Sequence, residues 1–188
     1  MKLLDSIIEF EKIFGRSEHD IGTMQINITS SESCNLETLY DILNFSKPLT
    51  IGGELFMHIY PKDMLDKMQQ GWYWVFSKEN TWVQDDQNWN KNWIVFATRN
   101  DDAIYFNQTD NGVYGAIEKS VFYKLSTSLS MFFFILAECM KMEEQKFNFD
   151  TSDDEEVILD DFLNEINKIL NQHMNKETVE GFIKFFFS

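Results

Sequence analysis

Apolar residues at Leu3, Leu4, Ile7, Ile8 and Phe14 recur at helical spacing with charged positions between them, and Gly15 follows. That pattern predicts an amphipathic first helix ended near Gly15. From Thr23 to Thr29, TMQINIT alternates with a period of two and predicts a short strand. Asn35 stands as an N-cap before LETLYDILNF, a second helix that must end before Pro48 because a residue preceding proline avoids helical angles. PLTIGGELFMHIY then reads as two strand pieces around Gly52-Gly53. Those glycines lack the lysine and the following helix of a phosphate-binding loop. Pro61 opens a short helical piece, PKDMLDKMQQ, stopped by Gly71.

WYWVF (Trp72 to Phe76) is predicted as a strand with Trp72 and Trp74 on one face, and a polar loop runs from Ser77 to Asn92. WIVFAT, AIYFN and GVYGAI follow as three strands separated by short Asn/Asp/Gly turns, the spacing of an antiparallel meander. SVFYKL is a further strand or an irregular approach to a long helix. Ser126 or Thr127 caps that helix, which runs to about Glu144 on an apolar body of Leu129, Phe132, Phe133, Leu136 and Met140.

The stretch from Glu143 to Asp154 turns polar and acidic, an internal joint between residues 1–145 and 146–188. Ser152 and Glu155 have the spacing of a capping box for the helix EVILDDFLNEINKILNQHM, with Val157, Leu159, Phe162, Leu163, Ile166, Ile169 and Leu170 as its buried stripe. Asn175 is placed to cap a last helix with Val179, Phe182, Ile183 and Phe186 on one side. A membrane-surface anchor would carry a basic polar face, whereas this third of the chain is acidic, so both helices are expected to pack on the same domain.

Composition narrows the classes. Apolar residues make up 44% of 188 and prolines number two, a globular profile. Eighteen phenylalanines, and five tryptophans between Trp72 and Trp93, must mostly be core. A net charge of −15 repels phosphate backbones, which argues against direct nucleic-acid binding; on charge alone plain solubility is the first reading, and faster association with a cationic partner the second. Cys34 and Cys139 are too few and too far apart for a disulfide framework or a zinc site, as in a reducing compartment. Asp5 and Glu9 interrupt the first apolar stretch, so it makes a poor signal peptide, and MFFFILA is far short of a membrane span. A cytoplasmic protein with no membrane association is expected.

Chemistry has little to build on. His19, His58 and His173 share no ligand spacing, and no nucleophile elbow, HExxH helix or dinucleotide fingerprint is present. We expect no catalytic, cofactor or metal residues. Asp101 and Asp102 lie in RNDDA between two apolar runs, where aspartates bond local amides and tolerate unusual dihedrals, so a hairpin turn is the first reading. Neighbours on a strand point to opposite faces, which disfavours a chelate. Asp85 and Asp86 fall in the Trp-rich loop and are expected to be solvated. Trp82 and Trp89 in that loop either fold back on the core, the commoner outcome, or meet a partner. Candidate partner contacts are therefore Trp82, Asp85, Asp86, Trp89, Asp101 and Asp102.

The series LNFSKPLTIGGELFMHIY, QQGWYWVF, NWIVFATRNDDAIYFN and GVYGAIEKSVFYKLSTSLSMFFFIL, spanning roughly Leu36 to Leu136, resembles the SUKH superfamily of bacterial toxin-immunity proteins and a yeast cell-wall synthesis regulator. Trp93 matches the tryptophan that leads a strand. Asp101-Asp102-Ala103-Ile104 stands where Gly-Asp-Pro-Ile is usual, with Asp102 at the aspartate position. Ser126 to Phe133 matches the serine-rich start of a helix with an early phenylalanine. The resemblance implies an α+β fold, a twisted and mainly antiparallel sheet of about five or six strands with helices around it. It also implies a binding protein without cofactor, an immunity protein that masks a cognate toxin. Such toxins are often basic nucleases. A regulatory or scaffold protein of the same fold is the alternative, and a small hydrolase using Asp101 or Asp102 a more remote one.

Overall fold

The computed structural model describes residues 1–28, 31 and 33–188. Its first helix, α1 (Leu3–Ile13), follows the apolar stripe and buries Leu3, Ile7, Phe10 and Ile13. A two-residue strand, β1 (Gln25–Ile26), occupies the centre of the expected Thr23–Thr29 strand, and Thr29 itself lies outside the described residues. Asn35 caps α2 (Leu36–Ile42) by accepting a hydrogen bond from the Thr38 N–H. That helix stops sooner than LETLYDILNF implied because Leu43 and Asn44 form β2 against β1. Strands β3 (Leu49–Ile51) and β4 (Met57–Ile59) pair antiparallel, joined through a 3-10 turn over Gly53–Leu55. After Pro61, a second 3-10 turn and the short helix α3 (Leu65–Met68) lead to Gly71.

Between Gly71 and Trp93 the structure departs from expectation. Only Trp74–Phe76 forms β5, and it pairs with β6 (Trp82–Gln84), a strand inside the segment read as loop. Trp72 lies outside β5 and packs against Trp89, so it does not share a sheet face with Trp74. Three residues cannot display a period of two, and β6 exists because β5 is there to pair with it.

The meander is built from β7 (Trp93–Arg99), β8 (Asp102–Asn107), β9 (Val113–Ile117) and β10 (Val121–Ser126). With β4 and β3 it makes a six-stranded sheet in the order β10-β9-β8-β7-β4-β3, antiparallel at each pairing. Asn100 (φ 47°) and Asp101 (φ 70°) turn β7 into β8 with both central residues left-handed, the geometry that matches the strands' right-handed twist. A register shift at Phe96 turns both Phe96 and Ala97 into the main core. Elsewhere the alternation of side chains divides the sheet. Ile104, Phe106, Val113 and Leu125 face that core, while Val95, Ala103, Tyr105 and Ala116 face the other way.

Helix α4 (Leu129–Gln145) packs on α1, and Leu129, Phe132, Phe133, Leu136 and Met140 are all buried. Its cap is Ser128, whose hydroxyl accepts from the Met131 N–H at 3.1 Å, rather than Ser126 or Thr127. Pairing with Val113 holds Ser126 extended as the last residue of β10. Helix α5 (Asp160–His173) also begins later than expected, without a capping box. Ser152 pairs with Ile158 in a bridge, while the Asp153 carboxylate accepts from the Glu155 and Val157 N–H groups. An aspartate so placed competes with helix formation for those amides, and Val157 is left exposed instead of joining the stripe.

Asn175 caps α6 (Lys176–Phe186) through the Thr178 N–H. Its Gly181 lies against the Lys124 main chain, where an added Cβ would overlap the carbonyl oxygen, so glycine permits this close approach of helix to strand. Phe162, Ile166 and Leu170 of α5 and Val179, Phe182, Phe185 and Phe186 of α6 join the same core as α1, α4 and the sheet. The architecture is α+β. Among the described residues, no helix is long and apolar enough to cross a membrane.

Candidate functional site

The sheet face turned away from the main core carries a second, aromatic layer. Asp85 anchors it: its backbone N–H donates to the Tyr73 carbonyl, and its carboxylate takes the Lys119 ammonium at 2.6 Å from the β9–β10 turn. Both side chains of this pair are largely covered, so Asp85 is not solvated as expected. The Lys119 ammonium holds its carboxyl below the usual carboxylate range.

This clamp folds the following loop down over the sheet and buries Trp89 to 2% exposure. The Trp89 indole N–H donates to the Trp93 carbonyl at 3.0 Å, and its ring meets those of Trp72, Tyr105 and Trp93 at 4.9, 5.0 and 5.3 Å. Trp89 is thus a core residue of the outer layer and offers a partner no accessible face. The commoner outcome for a loop tryptophan, folding back, applies to it.

Trp82 behaves oppositely. It pairs across β5 and β6 with Phe76, ring centroids 5.4 Å apart, and the two stand 49% and 59% exposed with Val83 at 40%. Past β6 the chain enters the clamp at Asp85, then Asp86 lines a groove of about 510 Å³ with Lys91, Trp93, Lys119 and Phe122. The Phe122 ring lies 5.4 Å from that of Trp93. Burial, and after it the Asp86 carboxylate, pushes the Tyr73 hydroxyl up.

Asp101 sits in the β7–β8 turn and Asp102 opens β8. The Asp102 carboxylate accepts the backbone N–H of Glu118, in the neighbouring turn rather than its own, and burial raises its pKa, helped by the Glu118 and Asp101 carboxylates. Since Lys119 in that turn holds Asp85, the structure links Asp101, Asp102, Glu118, Lys119, Asp85 and Asp86 along one side of the molecule. Trp93 opens β7 on the same layer; Ser126 and Phe133 belong to the main core.

Two features escaped the sequence reading. Phe76 and Phe122 add exposed aromatics to this layer, and for Phe76 the only available signal was cross-strand pairing with a strand too short to read. The other is Glu143 of α4, buried on the opposite side of the sheet. It accepts from the Glu54 N–H at 3.0 Å and fills the space beside Gly53, whose φ of 64° suits glycine. Burial pushes its carboxyl up to about 7, and the Glu54 and Asp20 carboxylates add to the rise. The cavity beside it, about 10 Å³, holds one water at most. Cys139, one turn earlier, is buried with its thiol pushed up, a state without nucleophilic character. Glu143 therefore ties α4 to the β3–β4 connection rather than facing a ligand space. Among the described residues, no group of three or more His, Cys, Asp or Glu is placed to hold a metal ion.

No family model, curated protein or solved structure matches the chain.

Proposed function

We propose that this chain is a protein-binding domain of SUKH type, and most concretely an immunity protein that neutralises a cognate toxin by direct contact in the cytoplasm. The observation that carries the reading is the exposed Phe76–Trp82 pair beside an acidic rim, an arrangement suited to a protein partner rather than to turnover of a small substrate. The motif order supports it, since Trp93 opens a strand of an antiparallel meander and α4 follows that meander. A net charge of −15 selects a basic partner, as a toxin acting on nucleic acid would be, and speeds its capture at low salt.

Coexpression with the toxin encoded beside this gene tests the reading. Growth should be restored, and the purified proteins should form a complex whose association rate drops at least about tenfold between low and high salt. If no toxin gene lies nearby, or no salt-sensitive complex forms, the immunity reading falls.

A further inference from the structure

We infer that the cationic partner docks on the outer aromatic layer, with Phe76 and Trp82 of the β5–β6 hairpin as anchors and the Phe122 groove as their continuation. The inference rests on the binding reading above and adds which face does the binding and by what chemistry.

Three observations converge on this face. Phe76 and Trp82 stand exposed, whereas Trp72, Trp74 and Trp93 are partly buried and Trp89 is buried, so the tip of the hairpin keeps out of the core what the rest of the segment puts into it. The hairpin is also tied down at its base, by the Asp85–Lys119 pair, the Asp85–Tyr73 backbone bond and the Trp72–Trp89 contact. Rings presented from such a base lose little conformational freedom on binding. Finally, the charge around them suits a cation. Among the described residues, Glu79, Asp86, Asp101 and Glu118 form no ion pair, whereas Lys119 is engaged by Asp85, leaving Lys78 and Lys91 as the opposing charges. An arginine or lysine of the partner can stack on Trp82 while a carboxylate at the rim takes its charge.

The segment from Phe149 to Asp161 is more densely acidic, but its exposed apolar residues, Phe149 and Val157, stand singly. Charge of that kind steers encounter without setting the lifetime of the complex. The two surfaces therefore divide the kinetics: the acidic segment governs association and the hairpin governs dissociation.

The test uses the full chain and the purified product of the adjacent toxin gene. Trp82→Ala and Phe76→Ala should each speed dissociation at least about 30-fold with the association rate little changed. Phe122→Ser, outside the hairpin, should speed it about fivefold or more, which guards against a hairpin that merely unfolds. Neutralising Asp153, Asp154, Glu155 and Glu156 to their amides should slow association at low salt and leave dissociation alone. Hydrogen exchange on the unmodified complex should show protection over residues 74–84. A wild-type complex indifferent to all three aromatic substitutions, with protection elsewhere, overturns the docking face and leaves the immunity reading standing. Failure of the wild-type pair to associate overturns both.

Discussion

Glu143 is an acid whose ionisation the fold opposes. Its folded pKa of about 7 lies above the ordinary glutamate value of 4.5, so between those values the folded protein keeps a proton that the unfolded chain has released. The stability it contributes is complete below about pH 4.5 and is lost as pH rises through 7, a decline of about 3 kcal/mol. Urea denaturation across pH 5 to 8 should show that decline in the wild type and a flatter profile in Glu143→Gln, whose amide oxygen can still accept the Glu54 N–H. Equal slopes would mean that another group is responsible. At Asp101 the backbone makes its own demand, because φ is 70°. Asp101→Gly should hold or raise stability by up to about 1 kcal/mol, whereas Asp101→Val should cost about 1–2 kcal/mol, both read from urea midpoints.

At the scale of elements, α6 and β10 meet where Gly181 lies against the Lys124 main chain. Gly181→Ala should destabilise by about 1–3 kcal/mol in thermal or urea unfolding, since the methyl group meets backbone that cannot move aside alone, despite alanine's better helix propensity. The elements legible in the sequence were those whose instructions are local. Asn35 and Asn175 cap their helices through amides three residues on, and the stripes of α1 and α4 are continuous. Where two local signals compete, the expectation fails: Asp153 takes the Glu155 amide that a Ser152 cap would use. The rest depended on distance. β6 needs β5, the clamp joins Asp85 to Lys119, and Glu143 meets Glu54 across 89 positions of chain. Of the candidate contacts, Trp82 was legible as an aromatic in a polar setting. That Trp89 would be buried and Phe76 exposed depended on the clamp, which periodicity does not encode.

Across the whole molecule, charge is unevenly spread. Residues 138–165 hold eleven carboxylates against two lysines, Lys141 and Lys146, a concentration that sets one end of the chain's field. The helix α6 has a consequence for the molecule's behaviour in a crowd. It packs against β10, one of the two edge strands of the sheet, on which Val121 and Phe122 are already exposed. Stripped of that helix, the strand would present unpaired amides, carbonyls and apolar side chains to other copies, the makings of edge-to-edge aggregation. A chain cut after His173 should therefore sediment as oligomers or fibrils at concentrations where the full chain stays dispersed. The C-terminal helix is in that sense a guard on solubility.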